Sequence, residues 1–188
     1  MGLRVITGPM FSGKTEYLIS LMNRELIARR KVQFFVPERD DRHGRGVVKS
    51  NGGVTIAEVI PVVVKTAFEI HQKVDRLTDL VCIDESQFFE DDIVHRVNVL
   101  MLGGFNVAVS GLNLTASGDP FGSMPMLMAM ATEPIVQCQA VCTREDPHYG
   151  LCGKPATRTW RSPNAGKEKI VIGGSEIYQA RCFACWTK

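Results

Sequence analysis

Gly8-Pro9-Met10-Phe11-Ser12-Gly13-Lys14-Thr15 is the stretch on which the fold turns. It fits the pattern G-x-x-x-x-G-K-[ST] in full. Leu3-Arg4-Val5-Ile6-Thr7 before it is β-rich, and after it Leu18, Ile19, Leu21, Met22, Leu26 and Ile27 recur at helical spacing. A glycine-rich turn between strand and helix points successive backbone N–H groups into a phosphate, and the helix adds the positive end of its dipole. Gly13 lets the backbone approach closely, Lys14 reaches the β and γ phosphates, and the Thr15 hydroxyl is placed to ligate Mg²⁺. The stretch therefore reads as a P-loop for a nucleoside triphosphate, ATP with magnesium.

Moving outward, short apolar runs alternate with helical periodicity. Val32 to Val36 suits a buried parallel strand, and Asp40 to Gly53 is charged and glycine-rich, the composition of a mobile loop. Val54 to Val64 is β-branched and ambiguous, while Thr66 to Val74 and Asp91 to Leu102 read as helices. Leu80-Val81-Cys82-Ile83 is a second buried strand, and it ends in the paired carboxylates Asp84-Glu85. In P-loop proteins an acid at such a strand end helps hold Mg²⁺, which gives Asp84 that role. Glu85 then lies near the γ-phosphate, able to orient or deprotonate an attacking group. Phe105 to Ser110 is a further strand, and Asn113 to Gly122 a small, polar loop. Met124, Met126, Met128 and Met130 read as flexible core packing rather than as metal ligands. Strands alternating with helices require crossover connections. The expected fold is α/β, a RecA-like P-loop NTPase with a parallel sheet flanked by helices.

The 188 residues have room for that domain and a small appendage. The cysteines mark where the appendage begins. Cys82 lies in the apolar strand, but Cys138, Cys142, Cys152, Cys182 and Cys185 all fall in the last quarter. The division expected is 1–133 for the P-loop domain and 134–188 for a zinc-ribbon domain. The chain opens directly on a strand rather than on a secretory signal, so a cytoplasmic protein with reduced thiols is expected. Cys182-Phe183-Ala184-Cys185 is half of a metal knuckle, since two intervening residues let both thiolates reach one tetrahedral ion. Cys152-Gly153 resembles the second half, which favours Cys142, Cys152, Cys182 and Cys185 as ligands of a structural Zn²⁺. Cys138 or His148 in place of one of them is the rival set. Thr157 to Arg161 and Lys169 to Ile172 are β-rich, separated by a turn at 162–166.

Taken together, the P-loop, Asp84-Glu85-Ser86-Gln87-Phe88-Phe89, Pro120-Phe121-Gly122, Val171-Ile172-Gly173-Gly174-Ser175-Glu176-Ile177-Tyr178 and the ribbon resemble the type II thymidine kinases. The likeness covers nearly the whole chain, with the motifs in the family's order. It implies transfer of the ATP γ-phosphoryl group to the 5′-hydroxyl of thymidine, with deoxyuridine a further acceptor, as nucleotide salvage for DNA synthesis. Through it Glu85 is the general base. Gly8 to Thr15 (Lys14 also catalytic), Asp84, Gln87, Asp40 and Arg42 serve the triphosphate and magnesium. Met10, Phe88, Ala116, Phe121, Thr159, Val171, Ile172, Gly173, Gly174 and Tyr178 fall at nucleoside-binding positions. In the family, a loop from the zinc module encloses the base. The resemblance also implies a homotetramer and feedback inhibition by thymidine triphosphate.

The chain departs from the family at three places. It has Leu112-Asn113 where Leu-Asp is usual, Ala116 where an aromatic is usual nearby, and residues 143–151 as an insertion between two zinc ligands. Extra length there is expected to extend a surface loop, because each doubling of a loop costs only about 0.6 kcal/mol.

The rival class is an ATP-dependent nucleic-acid-binding protein, since Asp84-Glu85-Ser86-Gln87 also resembles a helicase acidic box and zinc ribbons often touch DNA. A helicase normally needs two such α/β domains, and a net charge of +2 with no basic stripe offers no counterion release. The reading therefore includes no nucleic-acid partner. Nor does it include a membrane, because no apolar run approaches the roughly 20 residues needed to span one.

Overall fold

The computed structural model describes residues 1–39, 48–49, 55–56, 59–90, 92–146, 148, 150–166 and 173–187. Strand β1 (Leu3–Thr7) leads through the glycine turn into helix α1 (Lys14–Ile27), and β2 (Val32–Pro37) follows. Most of the loop expected over 40–53 lies outside the described residues. Within it β3 (Val48–Lys49) pairs antiparallel with β4 (Thr55–Ile56). β5 (Val62–Val64) precedes α2 (Ala67–Lys73), which begins where the Thr66 hydroxyl accepts the Glu69 N–H. Then come β6 (Leu80–Ile83), a single 3₁₀ turn at Ser86–Phe88, α3 (Asp92–Leu102), β7 (Asn106–Gly111), α4 (Met124–Ala129) and β8 (Val136–Gln137).

Six of these strands form one sheet in the order β5-β2-β6-β7-β1-β8, every pair parallel. The inner strands are largely apolar on both faces because both faces are covered. Val5, Phe35, Ile83 and Val109 share one buried cluster with Ile93, Val97 and Leu100 of α3 and with Met124 and Leu127 of α4. Ile6, Phe34, Val36, Cys82 and Ala108 share the other with Leu18, Ile19 and Met22 of α1. Each fully buried Leu, Ile or Phe contributes about 1.5–3 kcal/mol relative to exposure, so these two layers hold the sheet. The methionines behave as packing residues: Met124 is in the core, Met128 and Met130 lie against it, and Met126 faces solvent. The α/β sheet expected from the alternating pattern is present, and its carboxyl edge carries the P-loop. None of the helices among the described residues is long and apolar enough to cross a membrane.

β8 carries the sheet past residue 134, and beyond it the chain changes character. β9 (Ala140–Val141), β10 (Glu145–Asp146), β11 (Gly150–Leu151), β12 (Pro155–Ala156), β13 (Arg158–Arg161) and β14 (Tyr178–Arg181) form three antiparallel ladders, β9 with β12, β10 with β11 and β13 with β14. A one-turn helix, α5 (Phe183–Trp186), ends the described chain. Within 143–151 the described residues do more than lengthen a loop: β10 and β11 pair antiparallel, and the Cys152 N–H donates to the Arg144 carbonyl at 2.9 Å beside them. Among the described residues, the packed core cluster of this region consists of Ala140, Cys142, Ala156, Ala180 and Cys182. So few small side chains leave little apolar area, and such a module relies on a cross-link or a metal. The β-rich stretch expected at 169–172 lies outside the described residues.

Candidate active site

β1 runs between β7 and the edge strand β8, and its glycine turn opens at the sheet's carboxyl edge, where open α/β sheets bind ligands. Gly13 is left-handed at φ 76° and starts α1. Gly8 must be glycine because a Cβ there would lie 2.4 Å from the Cys138 carbonyl oxygen. The loop is braced from within, the Ser12 hydroxyl and the Lys14 ammonium each donating to the Pro9 carbonyl at 2.8 Å. It is braced from outside as well, since the Met10 N–H donates to the Thr159 hydroxyl of β13 at 3.0 Å. Met10 and Thr159 are 149 positions apart, and the fold brings them into contact.

The acidic pair stands beside this loop. Asp84 is fully buried, and one of its carboxylate oxygens accepts the Thr15 hydroxyl at 2.9 Å. The other accepts the Glu85 N–H at 2.9 Å and the Ser110 hydroxyl. A buried carboxylate is tolerable only with such partners. Glu85 sits at φ 48°, ψ 42°, left-handed for a residue with a side chain, and is also buried. Backbone held there costs of order 1–3 kcal/mol and clusters at working sites. The Gln87 amide donates to the Glu85 carboxylate while its oxygen accepts the Leu112 N–H at 3.0 Å. Glu85 is thus held from below by Gln87, which is itself fixed to the end of β7.

Ser110 and Gly111 carry no motif in the sequence, and Gly122 is visible there only as the end of Pro120-Phe121-Gly122. Ser110 carries a faint signal, a polar residue closing an apolar run at the sheet's carboxyl edge. A Cβ on Gly111 would meet the Gln87 amide oxygen at 2.4 Å, and one on Gly122, at φ 51°, would meet the Gln87 carbonyl at 2.5 Å. Gly122→Ala is expected to destabilise the chain by about 1–3 kcal/mol from overpacking alone, read as a lower denaturant midpoint at unchanged slope. An unchanged midpoint would show that the turn yields freely.

On the far side of Glu85, Phe88 and Phe121 meet edge to face, with centroids 5.8 Å apart and planes at 88°. Ala116 belongs to the 113–121 turn, and Tyr178 is buried at the start of β14, its N–H bonded to the Gly174 carbonyl at 3.0 Å. Gly173 also lies in the described part of this segment. Asp40, Arg42, Val171 and Ile172 lie outside the described residues.

The sulfurs of Cys142, Cys152, Cys182 and Cys185 all lie within 4.8 Å of one another, and neither Cys138 nor His148 belongs to the group. Cys152 is 4.0 Å from Cys182 and 3.7 Å from Cys185. Four sulfurs about 2.3 Å from a central zinc would stand about 3.8 Å apart, so the set is compatible with a structural tetrahedral ion. Burial raises the Cys142 thiol, but the backbone N–H groups of Arg144 and Cys182 and the thiols of Cys152 and Cys185 outweigh it and bring it down to about 7. Cys185, by contrast, is pushed up to about 12, first by burial and then by its sulfur neighbours. Crowded thiols cannot all ionise without a cation among them. Cys138 stands apart, its N–H on the Thr7 carbonyl at 2.7 Å.

The parallel sheet, the glycine turn and the acidic strand end define a P-loop nucleotide-binding protein with a phosphotransferase's arrangement of groups. A model of the thymidine kinase family matches residues 1–186. The chain belongs to the thymidine kinase family and is accordingly a nucleoside kinase, with ATP as the phosphoryl donor that such a kinase implies.

Proposed function

We propose that the chain transfers the γ-phosphoryl group of ATP to the 5′-hydroxyl of thymidine, with deoxyuridine a further acceptor, as cytoplasmic nucleotide salvage for DNA synthesis. The observation that carries this reading is the hydrogen-bonded line from Thr15 through Asp84 to Glu85 and Gln87. It fixes two groups suited to a metal–triphosphate directly beside a carboxylate suited to be a base. In the reaction Glu85 accepts the 5′-hydroxyl proton, the freed oxygen bonds to the γ-phosphorus, and the bond to the β–γ bridging oxygen breaks, releasing ADP. Gly8 to Gly13 cradle the phosphates through backbone N–H groups, and Lys14 follows charge onto the β and γ oxygens. Thr15 and Asp84 would hold Mg²⁺, which when bound supplies charge neutralisation at those oxygens. Asp40 and Arg42 are assigned to the loop beside the phosphates. Gln87 acts at the triphosphate end through Glu85, whose carboxylate it holds.

Met10, Phe88, Ala116, Phe121, Thr159, Val171, Ile172, Gly173, Gly174 and Tyr178 are assigned to the nucleoside. The Phe88–Phe121 pair supports an apolar wall suited to a planar base. A homotetramer inhibited by thymidine triphosphate completes the reading. The test is an assay of ADP release with ATP, magnesium and, separately, thymidine, deoxyuridine, the other deoxynucleosides and uridine. Thymidine should give the highest kcat/KM. ADP release that ignores nucleosides and depends on single-stranded DNA would overturn the reading in favour of a nucleic-acid-dependent ATPase.

A further inference from the structure

The turn assigned to the nucleoside wall is gripped from outside the sheet. Residues 113–121 close on themselves: Phe121 donates to the Asn113 carbonyl at 3.1 Å, Thr115 to Asp119 at 2.9 Å and Gly118 to Thr115 at 3.0 Å. The buried Thr115 hydroxyl accepts the Asp119 N–H at 3.2 Å. Against the tip of this turn lies α5. The Trp186 indole N–H donates to the Ala116 carbonyl at 3.1 Å. Its ring edge occupies the space over Gly118, where a Cβ would approach Cη2 to 2.8 Å at a φ of +89°. The indole is itself held in place. The Arg158 guanidinium stands 6.0 Å from its centroid and 5.5 Å from that of Phe183, and the Trp186 backbone N–H donates to the Cys182 carbonyl at 2.9 Å.

An indole N–H can only donate, so its bond to a backbone carbonyl is directional and fixes where that peptide lies. The side chain at 116 is a methyl group, too small to wedge the tip by itself. The same turn ends in Phe121, whose ring meets Phe88 beside Glu85. We propose that Trp186 is a positioning residue for the acceptor nucleoside, its indole clamping the 115–118 turn and so setting the wall that Phe121 presents. This rests on the assignment of that turn to the nucleoside.

The test joins steady-state kinetics to amide hydrogen exchange in Trp186→Ala and Trp186→Phe, both in the full chain with its zinc content measured. Trp186→Ala should raise the thymidine KM about tenfold and leave the ATP KM within about twofold, the loss expected for one directed hydrogen bond with its packing. Trp186→Phe keeps a ring over Gly118 but lacks the donor, and should fall between, at about threefold. Exchange at Gly118 and Asp119 should quicken in both variants. Unchanged exchange overturns the clamp, and a thymidine KM that stays put, or rises in step with the ATP KM, overturns the positioning role. Should Trp186→Ala fail to fold, Trp186→Phe at full zinc content decides alone. Parent protein that ignores thymidine removes the acceptor reading itself, and the exchange result still decides whether Trp186 holds the turn.

Discussion

Glu85→Gln should lower kcat by about 10²–10⁴ while leaving ATP affinity within about twofold, the range that a positioned general base contributes. The substitution suits the geometry. Gln fills the same volume in a buried position, and its carbonyl oxygen can still accept from the Gln87 amide where the carboxylate does now. Asp84 keeps its bonds to Thr15, Ser110 and the backbone at 85, so the metal-binding side is left standing. What disappears is the proton acceptor. Single-turnover phosphoryl transfer with a parallel measurement of ATP binding separates the two effects. Near-normal turnover would remove Glu85 from the base role and leave orientation of the hydroxyl as its remaining use.

The second large effect belongs to the sulfur cluster. Cys182 belongs to the four-sulfur group and caps the helix that follows, its carbonyl accepting both the Cys185 N–H at 3.1 Å and the Trp186 backbone N–H at 2.9 Å. Cys182→Ser removes a thiol from a module whose described core cluster is three alanines and two cysteines. Structural zinc binding is worth about 10–16 kcal/mol in small metal-folded modules, more than such a module can replace by packing. The zinc content of the variant should fall from about one per chain to near zero, with poor soluble yield. Because β13 leaves this module to meet the P-loop at Met10, the loss should reach ATP binding as well. Metal-free protein of undiminished thermal stability would sink the zinc assignment.

What could be read from the sequence was what local chemistry encodes. The glycine turn, the strand ending in Asp84 and Glu85 and the helices at 67–73 and 92–102 are each specified by neighbours within a few residues. Knuckle spacing pointed to Cys182 and Cys185 and the Cys152-Gly153 turn to a second half, with Cys138 and His148 as rivals; the fold groups Cys142 and Cys152 with Cys182 and Cys185. Contacts between distant segments gave no such signal. The order of the sheet, the hydroxyl of Ser110 on Asp84 and the bond from Met10 to Thr159 join residues far apart in the chain. β14 went unread because Tyr178–Arg181 acquires its extended form from pairing with β13 rather than from its own composition. Trp186 carries no pattern in the sequence, and only the turn packed against it gives it meaning.

The left-handed backbone of Glu85 has a bearing on how this protein can be improved. Glycine is the unstrained choice at such an angle, so folding alone would favour losing the side chain there. Activity, on our reading, requires that it stay. A stabilisation campaign ranked by melting temperature would therefore tend to enrich inactive variants at position 85, and the two aims have to be screened together.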